Sequence, residues 1–327
     1  MNWDVMFNKV EAGSVPASPD LPPMISALDL QRTEFPPVTW LLPDMIPEGL
    51  TLLAGKPKLG KSWLALQLAY GVAAGTEVLG RPVEKGHVLY AALEDNPRRL
   101  KSRLRKSTPP FAEWPATLSF ATEWPRLDEG GLERLETWVS HTRDATLLIV
   151  DTLATVRPSG NARDSQYQTD YAALRGLHKL ANDTRLSIIA VHHVRKADAD
   201  DPFDTVSGST GLTGAADTTL ILNKSAEGTV LYGRGRDLPE FESALGFDPG
   251  SCLWSDLGRP SDVFGSETRQ AIRAALKAGK QTPKEIAEHG DLDYDLCAKT
   301  LQRMAEGGEI EKGGRGRYRL TPDPLSV

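Results

Sequence analysis

The chain has 327 residues, of which 40% are apolar and 25% charged, and a formal net charge of −6. At about 150 residues per domain this leaves room for one large α/β domain and a small appendage. The acidic balance excludes a protein that is basic throughout, and no apolar run nears the roughly 18 residues of a membrane span, so a cytoplasmic protein with no membrane partner is expected.

Residues 1–37 read as an arm punctuated by Pro16, Pro19, Pro22, Pro23, Pro36 and Pro37, with one short helix expected over 24–31. From Val38 strands and helices alternate. Strands are expected over 50–54, 87–93, 118–121, 147–150 and 187–191, with helices over 62–74, 97–106, 131–141 and 167–181 between them. That alternation predicts an α/β fold, a mainly parallel sheet with helices on both faces. Short strands follow over 218–222, 229–232, 243–247 and 252–254, expected to extend the sheet antiparallel.

The first motif lies after the first strand. Gly55-Lys56-Pro57-Lys58-Leu59-Gly60-Lys61-Ser62 fits the phosphate-loop pattern in full, between a buried strand and a helix that opens with Trp63. Gly55 and Gly60 let the backbone amides turn inward at the positive end of the helix. Lys61 can then reach the β- and γ-phosphates and the Ser62 hydroxyl can hold Mg²⁺, so ATP and Mg²⁺ are the expected ligands.

Further acids and bases stand at strand ends. Val88–Leu93 runs into Glu94-Asp95, and Glu94 should face the γ-phosphate as a catalytic base unless it serves as a structural cap. Asp95 is read as serving the start of the next helix, which Asn96-Pro97 opens. Leu147-Leu148-Ile149-Val150 ends in Asp151, a candidate for the magnesium site or a cap for the next turn. Ile188–Val191 ends in His192-His193, which must point to opposite faces; His193 is the candidate for phosphate contact or a polar relay. Residues 194–210 carry no apolar periodicity and are long for a loop, which points to function or disorder. Further on, Arg234 and Arg236 flank a glycine at a strand end and suit phosphate clamping. Helix 97–106 carries six cations, read as too many for one face and therefore as a solvated helix.

The tail from Ser266 is nearly balanced in charge. Helices are expected over 267–278, from Thr282-Pro283-Lys284-Glu285 (a capping box), and over 294–306, the last presenting Leu296, Thr300, Leu301 and Met304 on one side. A hairpin turning at Gly313–Gly316 follows, with Lys312, Arg315, Arg317 and Arg319 placed to touch phosphates. Three helices and a basic hairpin describe a winged helix-turn-helix. Cys252 and Cys297 match no metal or redox spacing. The expected organisation is an arm (1–37), an ATPase domain (38–260) and a winged helix (266–327).

Taken in order, GKPKLGKS, VLYAALED, LLIVD and IIAVHH resemble the RecA-like ATPases, and among them the RepA-type hexameric replicative helicases of plasmids, phages and mobile elements. The resemblance covers about Val38 to Leu257. It implies Glu94 as base, Asp151 as the Mg²⁺-linked aspartate, and a histidine at 192 or 193 coupling the γ-phosphate to a DNA loop. Within that loop Arg195, Lys196, Ser207, Gly208, Ser209 and Thr210 become contacts for single-stranded DNA; four nearby aspartates depart from such a role unless they face elsewhere. Arg236, or else Arg234, becomes an arginine finger entering a neighbouring subunit's site. A homo-oligomer follows, a hexameric ring moving on single-stranded DNA, with the tail open to a replication partner such as a primase. A filament-forming recombinase ATPase and an ATP-regulated DNA-binding switch remain the alternatives.

Overall fold

In a computed structural model, residues 24–159, 166–194, 201–206, 211–225, 228–264, 267–306 and 309–321 are described. They divide between two compact units, Met1–Asn223 with Leu231–Phe241 and Phe247–Ser255, and Lys224–Val230 with Glu242–Gly246 and Asp256–Val327. The chain enters through helix α1 (Ala27–Arg32), capped by Ser26 and without a buried residue. A small antiparallel pair that the sequence reading missed, β1 (Trp40–Leu42) and β2 (Ile46–Pro47), comes next.

The main sheet is built from β3 (Gly49–Gly55), β4 (His87–Ala92), β5 (Leu118–Ala121), β6 (Ala145–Asp151), β7 (Ser187–His193), β8 (Thr218–Lys224), β9 (Thr229–Gly235), β10 (Phe241–Phe247) and β11 (Trp254–Gly258). Their order is β11-β10-β9-β8-β3-β7-β6-β4-β5. Every residue of β3 is buried, as expected for a strand covered on both faces. Interleaved with the strands are α2 (Lys61–Ala74), α3 (Pro97–Ser107), α4 (Leu132–His141), α5 (Leu153–Val156), α6 (Gln166–Thr184) and α7 (Gly211–Ala215). One face of the sheet packs Leu50, Leu52, Leu148, Val150 and Ile188 against Leu174, Leu177 and Ala181 of α6. On the other, Leu53 and Ile189 meet Leu64 and Leu68 of α2.

Three expectations need correction. Strand β8 pairs parallel with β3, Thr51 beside Thr218, and does not extend the sheet antiparallel there. The connection of 24 residues from His193 to Thr218 allows this, since a parallel pair needs a crossover of a dozen or more. The strand expected at 252–254 begins instead at Trp254, because Cys252 sits in a turn at φ 58°. Residues 194–210 are not wholly without structure: Pro202–Val206 forms a 3₁₀ turn that buries Phe203 and Val206 in the main core.

In the second unit, α8 (Pro260–Val263) precedes α9 (Glu267–Lys277), α10 (Pro283–Gly290), α11 (Tyr294–Glu306) and the antiparallel pair β12 (Ile310–Lys312) and β13 (Tyr318–Leu320). Both halves of the Thr282–Glu285 capping box form. Ile272, Ile286, Cys297, Leu301, Met304, Ile310 and Tyr318 share one core. Within it Arg273 is buried between Asp262 at 2.9 Å and Glu309 at 3.0 Å. Helix α11 turns Cys297 inward and leaves Leu296 half exposed, contrary to the expected face.

Candidate nucleotide site

Parallel register assembles the site. Gly55 of β3 lies beside His193 of β7, Asp151 of β6 beside Val191, and Ala92 of β4 beside Asp151. With about 4.8 Å between strands, the ends of β3, β7, β6 and β4 therefore form one continuous rim at their carboxyl edge. That is where an open α/β sheet offers a crevice to ligands.

The phosphate loop fills the head of this crevice. Gly60 caps α2 in the left-handed region at φ 95°, and a Cβ there would stand 2.8 Å from the Trp254 ring. A Cβ on Gly55 would come within 2.5 Å of the Leu222 carbonyl, so both glycines are required by close approach. Trp254 also braces the loop: its indole N–H donates to the Gly60 carbonyl, and its backbone is held at both N–H and C=O by the Gln67 amide. Lys56, Pro57, Lys58 and Leu59 form the loop's partly or fully exposed outer turn, and Trp63 closes the first helical turn by an N–H bond to Gly60.

Lys61 is buried and folds back over the loop. Its ammonium donates to the Gly55 carbonyl at 2.7 Å, the Lys56 carbonyl at 3.0 Å and His193 Nδ1 at 3.1 Å. Burial lowers its pKa to about 8, against the opposing pull of Asp151 and Glu94. These are three donors satisfied by weak neutral acceptors, which phosphate oxygens would replace with charged ones. Since an ammonium only donates, Nδ1 of His193 accepts and the ring proton sits on Nε2, 3.8 Å from Glu94 Oε1.

Asp151 is buried, and one oxygen accepts from the Tyr90 hydroxyl at 2.7 Å. Burial raises its carboxyl pKa, with hydrogen bonds from Ser62 and Tyr90 working the other way. Its second oxygen, Oδ1, is buried with no hydrogen-bond partner among the described residues. An orphaned carboxylate oxygen on a carboxyl that neighbours Ser62 is a donor set that suits a hard divalent cation and its waters. Tyr90 was absent from the sequence reading, although its alternation in β4 puts it on the same face of the sheet as Asp151 of the adjacent β6.

Glu94 stands just past β4 with its side chain largely exposed to the crevice, and accepts from the Thr152 hydroxyl at 3.1 Å. Asp95 does not cap α3, a task that falls to the Asn96 side chain. It is instead buried between Arg103 at 2.7 Å and Arg99 at 3.1 Å, and Arg99 also donates to the Glu94 carbonyl. Arg103 lies over the Trp63 ring at 5.1 Å. His192 points to the opposite face from His193, and burial holds its pKa down near about 4, so it is neutral at pH 7.

Lys61, Ser62, Glu94, Asp151 and His193 are thus brought together, whereas Arg234 and Arg236 are not. Arg236 donates to Asp217 at 3.2 Å and to the Gly214 carbonyl, and Asp217 in turn accepts from Leu50 N–H at the start of β3. Five residue steps along β3 take Leu50 to Gly55, about 17 Å of strand. Arg234 stacks on Phe203 at 4.1 Å and pairs with Glu240 and Asp201. Asp201 therefore faces an arginine. Arg195, Lys196, Ser207, Gly208, Ser209 and Thr210 lie outside the described residues, as does the Arg315 side chain. Lys312 and Arg317 are exposed on the hairpin, while Arg319 is paired with Glu311.

The AAA domain family is matched over residues 18–199, more than half of the chain. The chain belongs to that family. Among solved structures, this AAA domain is similar in fold to another protein's isolated ATPase domain, at 17% identity and a TM-score of 0.51, covering 64% of this chain and 85% of the other. It is similar also to a DnaB-like replicative helicase whose interactions with primase were described, at 17% identity and a TM-score of 0.50. That second match covers 63% of this chain and spans 57% of the helicase's own length. Family and fold make this a P-loop ATPase of RecA-like architecture.

Proposed function

We propose that the chain is an ATP-driven DNA motor of the RepA-type hexameric helicase class, hydrolysing ATP at subunit interfaces and moving on single-stranded DNA. The observation that carries this reading is the junction at His193. Its ring stands between Lys61, which it meets at 3.1 Å, and Glu94, 3.8 Å away, and the chain leaves it directly into segment 194–210, where the DNA contacts Arg195, Lys196 and Ser207–Thr210 are proposed. A γ-phosphate drawing Lys61 away from Nδ1 would be registered one residue before that segment.

In the proposed reaction Lys61 exchanges its carbonyl partners for the β/γ-phosphate oxygens, and Glu94 takes the proton of the attacking water. Ser62, through its hydroxyl, and Asp151 would hold Mg²⁺, whose charge would offset that of the phosphates. Thr152 orients the Glu94 carboxylate, and Tyr90 fixes the other oxygen of Asp151. No cation from this subunit except Lys61 is assigned to the phosphates, which leaves Arg236, or Arg234, for a neighbour's site. We assign residues 38–260 to the motor and 266–327 to a winged helix that takes duplex DNA or a replication partner, with Lys312, Arg315 and Arg317 on its wing.

The test is ATP-dependent strand displacement on a forked duplex, with Lys61→Ala as control and negative-stain imaging of the nucleotide-bound protein. Rings that unwind the fork are expected. Open filaments without unwinding would favour a recombinase-type ATPase, and ATP-modulated DNA binding by a monomer would favour a switch.

A further inference from the structure

Helix α3 uses its six cations on two separate faces. Arg99, itself exposed, and the half-buried Arg103 reach to Asp95 and hold it beside Glu94, with Leu100 and Leu104 buried. Arg98, Lys101 and Arg105 fall within an arc of about 60° at 100° per residue on the other side. All three are exposed, and none forms an ion pair or hydrogen bond among the described residues. Lys106 falls outside this arc, on the side of Arg99 and Arg103. The one acid in the turn that follows is the exposed Glu113.

Beyond the helix end the chain makes a braced turn. Thr108 bonds back to the Leu104 carbonyl through both N–H and hydroxyl, Trp114 donates to the Thr108 hydroxyl at 3.2 Å, and Ala112 N–H closes on Pro109 at 3.1 Å. This scaffold holds Phe111 at φ 64° with its whole ring in solvent. A bulky residue in the left-handed region is unfavourable, and so is a fully exposed phenyl ring. Among the described residues no contact offsets either, and backbone outliers of this kind gather at binding sites.

We propose that the outer face of α3, with Phe111 at its end, is a second surface for single-stranded nucleic acid, separate from segment 194–210. Arg98, Lys101 and Arg105 extend over about 10 Å of helix and take two or three successive phosphates, while Phe111 stacks on a base. A carboxylate-rich peptide would satisfy the cations but would give the ring no flat π partner. The proposal rests on the DNA reading above and adds a route from DNA to chemistry. The same helix grips the strand outside and, through Arg99 and Arg103, holds the turn that carries Glu94.

The experiment titrates fluorescein-labelled oligo(dT) with the full-length protein at several salt concentrations, alongside ATPase rates with and without DNA. Arg98→Ala/Lys101→Ala/Arg105→Ala should bind at least tenfold more weakly, with a salt slope shallower by about two, at roughly 0.7 per phosphate. Phe111→Ala should weaken binding about fivefold or more with the slope unchanged. Both variants should keep the basal ATPase rate and lose stimulation by DNA. If both bind and respond as the unsubstituted chain does, this surface is overturned and the DNA reading stands. If the unsubstituted chain does not bind oligo(dT) at all, both fall together. A weakened triple variant with Phe111→Ala unaffected, and polyglutamate competing as well as oligo(dT), would assign the stripe to an acidic protein and overturn the proposal.

Discussion

The two ends of the parallel strands in the ATPase unit treat buried charge in opposite ways. At the amino end Asp217 has both oxygens occupied, one by Leu50 N–H at 2.9 Å and the other by His178 at 3.0 Å and Arg236 at 3.2 Å. At the carboxyl end Asp151 keeps an oxygen without a partner among the described residues, and Lys61 is desolvated and donates to the neutral acceptors Gly55, Lys56 and His193. An unpaired buried polar atom costs roughly 1–3 kcal/mol, so the second arrangement persists at the expense of stability. The end whose charge is saturated fastens the sheet, although the neutral Thr218 hydroxyl beside Asp217 has no partner among the described residues, and the end whose charge is unsaturated is organised around a ligand still to come.

The largest effect should come from emptying the unsaturated end. Lys61→Ala is expected to lower ATP hydrolysis by 10³-fold or more while changing unfolding free energy by less than about 1 kcal/mol, since the ammonium it removes is already desolvated. Glu94→Gln should keep ATP affinity and lose roughly 10²-fold in turnover. Steady-state ATPase assays, with nucleotide binding and denaturant melts in parallel, separate these outcomes. A Lys61→Ala protein that unfolds several kcal/mol more easily would mean that this end fastens the fold as well.

Arg236 belongs to the saturated end of its own chain and, under the proposed ring, to the unsaturated end of the next. Arg236→Ala should then bind ATP normally and hydrolyse it at least tenfold more slowly. Mixing it with Glu94→Gln should restore part of the rate, because some interfaces then pair an intact base with an intact arginine. Absence of recovery despite demonstrated subunit exchange would confine Arg236 to its partner Asp217.

How far these ends were legible in sequence follows from how local their signals are. The phosphate loop, Glu94, Asp151 and His193 each sit where an apolar run stops, and strand ends can be read one at a time. Asp217 could not be found that way, because its partners come from positions 50, 178 and 236 and nothing near it in sequence marks it. Trp254 was read at the end of its strand and stands at the start, since a single left-handed residue at Cys252 delays the strand. The direction of β8 was readable in principle from the length of the connection before it. The partition of α3 required knowing that Asp95 turns inward, which two arginines at helical spacing hint at only once the burial is seen.

Asp217 itself gives the next effect in size. Asp217→Ala leaves the Leu50 N–H, His178 and Arg236 without their acceptor, and a loss of about 2–4 kcal/mol in unfolding free energy is expected from stranding such groups. ATP affinity should be unchanged, because the loop stands at the far end of β3. Urea melts and nucleotide titration check the two halves of this statement. Weakened ATP binding with full stability would reverse the roles given to the two ends.

The smallest effect is a pH dependence carried by Lys61 alone. In the free protein burial holds its pKa near about 8, and bound triphosphate favours the ammonium and raises it. The complex therefore carries more protons than the free protein above pH 8, so ATP affinity must fall as pH rises through that value. Phosphate ionisation, with a second pKa of about 6, is complete by then and adds nothing. The slope can reach one tenfold loss per pH unit, so affinity at pH 9 should be up to about tenfold below that at pH 7. Calorimetry in buffers of different ionisation heat should register net proton uptake on binding at pH 8.5. Flat affinity from pH 7 to 9.5 would mean that Lys61 is as well solvated as a surface lysine, and the contrast between the two ends would lose its electrostatic half.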